Sequence, residues 1–500
     1  MDEKKWHSVA ELHEQALKAV GNPVKNLVEE ETVNYYYKNP KNKGWIGNSI
    51  ESDWFGLANN SRQEADFANL GVELKVTPIR QTKAGWSAKE RLSLNIFDFH
   101  DEYKREFKNA SFLEKANLME LIYYEFIKDI ASPEYYIKAA TLLNLNDLPE
   151  EDLLIIEQDW EIIVNKIKEG KAEELSDSLT KYLGATTKGS KSERNMTTQP
   201  FSDKKAHRRA FTLKGSYMTS LARQIMSEDY ESHDEKLIKD VNELKEKSFE
   251  DIILDRFKPF IGWSKEKLGI KFNVNIPKKN DKASSALLAR KMLNVAGEIQ
   301  ETEEFKKAGI EVKIVTVETG KEKTTEGFKL QIPNHSNIEP EELVKETWED
   351  SLLNGYLASH QFLLVIFEKR VNDIIFKGVK FWHVPYEDLE SDIKETWEKT
   401  IQIYKEGITL NYKIREKKTK TGKNYEVGNN LPKMADKTIL HVRPSSRVAC
   451  YMDDLRYATR LPVKSNWIDK PIDSNLSDFF MTKQAWWLNP DYMYEQVKEI

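Results

Sequence analysis

The chain repeats itself at long period. Gly71-Val72-Glu73-Leu74-Lys75-Val76 returns as Gly309-Ile310-Glu311-Val312-Lys313-Ile314, an offset of 238. Farther on, Asp159-Trp160-Glu161 with Lys168-Glu169-Gly170 returns as Thr396-Trp397-Glu398 with Lys405-Glu406-Gly407, an offset of 237. Chance matches scatter in offset, so two distant anchors on nearly one offset point to a duplicated domain. The length of 500 residues agrees, because one hydrophobic core seldom organises more than about 250–300 residues. The expected organisation is a first domain over 1–225, a charged helical connector over 226–250 and a second domain over 251–500. In the connector, Leu237, Val241 and Leu244 fall at helical spacing among Glu228, Asp229, Glu231, Asp234, Glu235 and Lys236.

Both halves mix strand and helix patterns. Val72, Leu74 and Val76 alternate with Glu73, Lys75 and Thr77, the mark of a half-buried strand. Residues 118–127 and their counterpart 362–367 read as central strands. Residues 159–170, with Ile162, Ile163 and Ile167 along one side, read as a helix closed by Gly170. The fold class is therefore α/β: a mixed central sheet flanked by helices, built twice.

Composition excludes several classes of function. Charged residues make up 32% of the chain and the mean hydropathy is −0.65, with no apolar run of membrane-spanning length. The start, Met1-Asp2-Glu3-Lys4-Lys5-Trp6-His7, has no apolar stretch of the secretory kind, so a cytoplasmic protein with no membrane partner is expected. Cys450 is the sole cysteine and reads as a free thiol. No G-x-x-x-x-G-K loop occurs, so no ATP requirement is expected. The net charge of −6 repels phosphate overall. Locally the balance reverses, because Lys181, Lys188, Lys191, Arg194, Lys204, Lys205, Arg208 and Arg209 face only Glu193 and Asp203, a patch of the kind that contacts nucleic-acid phosphates.

Asp66, Glu73 and Lys75 form the spacing D-x6-E-x-K. Spacing alone leaves two readings open: a solvent-facing Glu–Lys pair on an ordinary strand, or a metal-dependent phosphodiester site. A strand has a period of two, so Glu73 and Lys75 emerge side by side while Val72, Leu74 and Val76 point to the other face. Mg²⁺ takes hard oxygen ligands and is satisfied by one or two carboxylates with water and phosphate. On the second reading Asp66 and Glu73 hold Mg²⁺, with Mn²⁺ able to substitute, and Lys75 orients the nucleophile or stabilises the developing anion.

Further residues carry a family likeness. Gly47-Asn48-Ser49-Ile50-Glu51, Asp66, Gly71-Val72-Glu73-Leu74-Lys75 and Lys115 resemble the active-site series of MutH-type endonucleases, and Lys89-Glu90-Arg91-Leu92-Ser93-Leu94-Asn95, Asp159-Trp160-Glu161 and Arg209-Ala210-Phe211-Thr212-Leu213-Lys214 extend the match. With a second copy appended, the chain resembles the two-domain, GATC-cutting type II restriction endonucleases of that family. The resemblance implies cleavage of double-stranded DNA at GATC, 5′ of the G. It makes Glu51 a further acidic contributor to the metal site, and Ile50 and Phe55 independently place Glu51 on a helix. It makes Lys115 a second active-site lysine, on the scissile phosphate or the water. Sequence reading falls to the loop with Thr187, Lys188 and Gly189 and to the segment around Phe211 and Lys214. Lys188 is the first choice, since lysine donates to guanine O6 and N7; Lys204, Lys205, Arg208 and Arg209 are expected on phosphates. Thr212 stands where MutH itself carries a tyrosine.

The offset also tests the second copy. Glu311 and Lys313 remain, but Asp66 maps to Glu304, Glu51 to Ala289, and Lys115 to the neighbourhood of Ala358 and Ser359. This copy is expected to be catalytically degenerate. It keeps His441-Val442-Arg443-Pro444 and Met481-Thr482-Lys483-Gln484 in the places of the reading segments, so Arg443 and Lys483 are expected to contact DNA. The resemblance implies that it holds a second GATC copy as an effector, through looping or dimerisation; a scaffold without DNA contact is the alternative. The basic stretch 413–423 contacts phosphates or nothing. Two other functions stay open: a mismatch-repair nickase of the MutH type, which has one domain and depends on partner proteins, and a non-cleaving DNA-binding regulator in which Asp66, Glu73 and Lys75 are surface charges.

Overall fold

The computed structural model describes residues 6–40, 42, 44–57, 64–83, 85–189, 195–226, 234–277, 282–325, 327–333, 335–349, 351–416 and 424–500. Residues 1–5, Lys191, Arg194 and the parts of the connector and basic stretch at 227–233 and 417–423 lie outside the described residues. The chain forms two compact units, residues 1–256 with 293–311, and residues 257–292 with 312–500. Residues 249–256 and 293–311 thus group with the amino-terminal half. Among the described residues, no helix is long and apolar enough to cross a membrane.

In the first unit, β1 (Val72–Thr82), β2 (Gly85–Ala88), β3 (Leu92–Phe97), β4 (Leu118–Glu125), β5 (Ile137–Asn144), β6 (Leu183–Thr187), β7 (Met196–Gln199), β8 (Ser202–His207) and β9 (Arg209–Leu213) form three sheets. The largest has the order β2-β1-β4-β5, with β1 and β4 parallel and the outer pairs antiparallel. Val72 and Leu74 pack beneath it against Leu12, Ala16 and Ala19 of α1 (Val9–Ala19). Glu73 on the other face is also buried, so β1 is covered on both sides where a half-buried strand was expected. A second sheet, β3-β9-β6, is antiparallel and is held by Phe97 stacked on Phe211 at 4.0 Å between ring centroids.

Four helices frame these sheets. α2 (Trp45–Ser49) leads into a widened turn at Ile50–Trp54, α3 (Ser111–Ala116) delivers the chain into β4, α4 (Glu150–Lys168) precedes β6, and α5 (Gly215–Met226) follows β9. The acidic first turn of α4, with Glu150, Glu151 and Asp152, and Lys166 and Lys168 in its last turn suit the helix dipole. Gly170, at φ +71°, closes it as the sequence predicts.

The connector is not one helix. Among its described residues a short helix spans Asn242–Glu246 and another begins at Phe249, while 234–241 is not helical and the amides of Leu237 and Ile238 donate to the Glu304 carboxylate at 3.0 and 2.8 Å. Lys236 bonds Glu151, and Leu237, Ile238 and Leu244 are buried. A helix would need those amides for its own ladder or a cap; the Glu304 carboxylate, at the start of α6 (Glu303–Ala308), claims them instead.

The second unit contains β10 (Ile310–Glu318), which starts at its border, β11 (Phe328–Lys329), β12 (Gln361–Lys369), β13 (Ile374–Trp382), β14 (Leu440–Pro444) and β15 (Gln484–Leu488), with α7 (Leu352–Ser359) before β12 and α8 (Lys394–Glu406) after β13. Two of its sheets are three-stranded, with the orders β10-β12-β13 and β11-β15-β14.

Gly184 in β6 marks a close approach. A Cβ there would enter the buried Asp177 carboxylate, which Arg91 holds in place. Gly184→Ala is expected to cost about 1–3 kcal/mol through overpacking, read as a lower denaturant midpoint with an unchanged slope; unchanged stability would show that Asp177 moves freely.

Candidate active site

The parallel register of β1 and β4 builds the site. It sets Glu73 opposite Met119 and Lys75 opposite Leu121, so the helix entering β4 brings Lys115 to the end of β1 where Glu73 emerges. Glu73 is 3% exposed and is the hub. Its Oε1 accepts from Lys75 Nζ at 2.7 Å and lies 3.7 Å from Lys115 Nζ, while its Oε2 accepts from the Asp66 backbone amide at 3.1 Å. Asp66 Oδ2 in turn accepts the Leu74 amide at 3.0 Å. Lys75 Nζ lies 3.4 Å from the Leu94 carbonyl of β3, which ties the two sheets together at this point. Burial pushes the Glu73 carboxyl up against the pull of the Lys75 ammonium.

Glu51 sits in the widened turn that follows α2, where Phe55 N–H donates to the Ile50 carbonyl in an i→i+5 bond of 3.1 Å. Such π-type turns recur at functional sites because they re-aim a side chain. Here the turn sends Glu51 toward the cluster. Burial, then the charges of Asp66 and Glu73, raise its carboxyl to about 7, against the opposing pull of Lys75 and Lys115. Glu51, Asp66, Glu73, Lys75 and Lys115 therefore stand close enough to act on one another electrostatically.

The charge of Asp66 adds to burial in raising both Glu73 and Glu51, a repulsion that a cation would relieve. Among the described residues no group of three or more acidic, histidine or cysteine side chains is arranged to hold a metal ion unaided. An open arrangement suits Mg²⁺, which keeps several waters and takes phosphate oxygens as ligands. Glu51, Asp66 and Glu73 are the residues that fit the role of holding a divalent ion.

The predicted reading residues divide into two groups. Lys188 is exposed and lies just beyond β6, its amide bonded to the Arg208 carbonyl at 2.9 Å. The protein around its ammonium, then the like charge of Lys75, lower its proton affinity. Gly189, at φ +82°, provides the turn. Arg208, Lys204 and Lys205 are exposed.

Arg209 and Lys214, by contrast, face the interior at 3% exposure each. Arg209 donates to Thr187 Oγ1 at 2.8 Å and to the Glu173 carbonyl, and Lys214 Nζ donates to the Thr180 carbonyl. Burial pulls Lys214 down to about 8 against the attraction of Asp177 and Asp159. Both residues, and with them the hydroxyl of Thr187, brace β6 and its approach from within where DNA contact was expected. Lys181 likewise leaves the basic patch, buried against Glu250. The burial has a sequence signal: Arg209 to Leu213 alternates no polar face, and the strand is buried throughout.

In the second unit, Arg443 is exposed with its guanidinium 4.7 Å above the Trp487 ring, and Lys483 is half-buried beside Ser445, whose amide bonds the Lys483 carbonyl. The antiparallel pairing of β14 with β15 brings Arg443 and Lys483 to one end of the pair. Of the residues matched to the cluster, Lys313 lies over Phe328 at 5.5 Å. Glu304 is spent on the amides of Leu237 and Ile238, Ala289 is buried, and α7 carries no lysine.

Residues 55–159 match the family model described as DNA mismatch repair enzyme MutH. The type II restriction enzyme Sau3AI of Staphylococcus aureus is 38% identical over 507 aligned positions, covering 98% of each chain. The DNA mismatch repair protein MutH of Shewanella woodyi is 30% identical over 152 residues, 30% of this chain and 63% of that protein. MutH of Shewanella oneidensis is 26% identical over 220 residues, 44% of this chain and 96% of that protein.

The elevated Glu51 carboxyl has a signed consequence. Folding raises it from the ordinary glutamate value to about 7, so the folded state binds more protons than the unfolded one between those values, and the ionised side chain costs stability above them. Glu51→Gln is expected to raise the melting temperature clearly at pH 8, by less at pH 5.5 and not at all near pH 4.5. An equal gain at every pH would remove the electrostatic explanation.

Proposed function

Because the chain belongs to the family of the type II restriction enzyme Sau3AI, we propose that this site-specific deoxyribonuclease hydrolyses double-stranded DNA at GATC, 5′ of the G, using the cluster around Glu73. The observation that carries the reading is the pair of lysines on the buried Glu73 carboxylate, with the charges of Asp66 and Glu51 acting on the same point, in a chain that aligns end to end with that relative.

When bound, a divalent cation, Mg²⁺ with Mn²⁺ able to substitute, supplies Lewis-acid stabilisation of the charge that builds on the phosphate. Glu51, Asp66 and Glu73 would hold it, with Asp66 aimed by the Leu74 amide. Lys75, tied to Glu73, orients the attacking water, and Lys115 faces the scissile phosphate from α3. Lys188 donates to guanine in the major groove, and exposed Arg208, Lys204 and Lys205 set register on phosphates. ATP has no part in this scheme.

The second half is a duplicated, degenerate copy in this reading. The repeat offsets support the duplication, and the diversion of Glu304 together with Ala289 in place of Glu51 supports the loss of cutting. Arg443 and Lys483 then hold a second GATC copy as effector, through looping or dimerisation, and the protein works in the cytoplasm beside the DNA it cuts. Mutual alignment over the full length favours this over the single-domain repair nickase.

Incubation of supercoiled plasmid with Mg²⁺ and no helper protein is expected to give linear DNA at GATC, and EDTA to abolish it. Asp66→Ala is expected to yield no linear product and Glu311→Ala to cut at close to the wild-type rate; equal inactivity of the two would overturn the division of labour. Lys188→Ala is expected to reduce discrimination against a changed G·C pair by about 1–3 kcal/mol, measured as relative kcat/KM on cognate and altered duplexes.

A further inference from the structure

We propose that Asp159 and Trp160, adjacent on α4, are positioning residues that lock the base-reading strand and the Lys115 helix into one frame. The proposal rests on the assignments of Lys188 and Lys115 made above. The Asp159-Trp160-Glu161 motif marks the repeat, yet neither of its first two residues touches the cluster or faces solvent.

Asp159 is 1% exposed, and its carboxylate accepts three successive backbone amides, from Lys181 at 2.7 Å, Tyr182 at 2.6 Å and Leu183 at 2.9 Å. Those residues are the entry to β6, whose far end is Thr187 and Lys188. Three N–H groups aimed at one buried carboxylate fix both the start and the direction of a strand. Lys214 ties the preceding carbonyl, Thr180, from the other side.

Trp160 points its indole N–H at Glu102 Oε1, 2.7 Å away and fully enclosed. The same oxygen lies 3.4 Å from the amide of Ser111, the first residue of α3, and Asn95 of β3 donates to Ser111 Oγ at 2.9 Å. Phe107, just before α3, packs against the Trp160 ring at 5.9 Å. Lys115 stands one turn along that short helix. A path of buried polar contacts therefore runs from Trp160 through Glu102 and Ser111 to the second lysine, and its neighbour residue Asp159 starts the path to the reading loop.

The chain contains its own comparison. On α8 the matching pair is Thr396-Trp397, so the carboxylate is gone. Trp397 Nε1 is buried and has no acceptor among the described residues. The half that keeps the full cluster keeps both ties, and the half that lacks it has lost both.

The test uses the full-length chain. Trp160→Phe removes the N–H but keeps the ring. It is expected to lower kcat by about ten- to a hundredfold, the scale of a small misplacement of a catalytic group, while the dissociation constant for a GATC duplex, measured in an Asp66→Ala background, stays within about twofold. Glu102→Gln retains an acceptor oxygen and is expected to keep most of kcat. Asp159→Asn is expected to show the opposite split, with cognate-over-altered discrimination falling at least about tenfold and kcat at saturating DNA changing less. Lys214→Met, which unties the same segment from its other side, is expected to act like Asp159→Asn and decides the matter if that variant does not fold. Parallel losses of kcat, discrimination and melting temperature in all variants, or retained discrimination in whichever β6 variant folds, would overturn the proposal. If Lys188→Ala alone leaves base preference intact, the assignment of the reading loop fails, and the kcat arm at Trp160 remains a separate test.

Discussion

A buried carboxylate must be paid for by its surroundings, and Glu73 sets the terms for the rest of the first unit. Its desolvation is offset by one lysine two residues along the strand, a second from the helix before the neighbouring strand, and a backbone amide from the turn before β1. The second lysine is placed only where β1 and β4 run parallel and in register. The crossover that parallel pairing demands carries β3 and α3, so the topology delivers Lys115 and the Leu94 carbonyl to the same point. Stability of the pair and assembly of the cluster are thus one event.

Much of this was legible in the sequence because strand periodicity is a strong signal. Glu73 and Lys75 had to share a face, and the repeat offset separated the half with a complete set from the half without one. The connector misled for a physical reason. Apolar residues at helical spacing describe what is buried, but Leu237 and Ile238 are buried while their amides serve a distant carboxylate. Charge counting misled in the same way at Lys181, Arg209 and Lys214. A basic residue in a basic segment looks like a phosphate contact until a buried carboxylate or carbonyl shows what it neutralises.

The supporting polar groups were the least legible part. Asp159 and Glu102 act through contacts at sequence separations that no local pattern encodes. Their carboxylates are buried without a direct countercharge bond of normal length, Asp159 on three amides and Glu102 on an indole. Groups in such positions specify geometry at a cost in stability, because an unsatisfied member is far more expensive than an apolar substitute. In the second unit the buried indole N–H of Trp397 has no acceptor among the described residues.

The widened turn at Ile50–Trp54 has a consequence for how such proteins can change. A helix advances about 100° per residue, so a turn that accommodates one extra residue rotates everything before it relative to everything after it. Deleting a single residue there would restore regular helical spacing and swing the acidic side chain to a different face. Loss of the third carboxylate from a lineage therefore requires no substitution at position 51, only a change of length a few residues away.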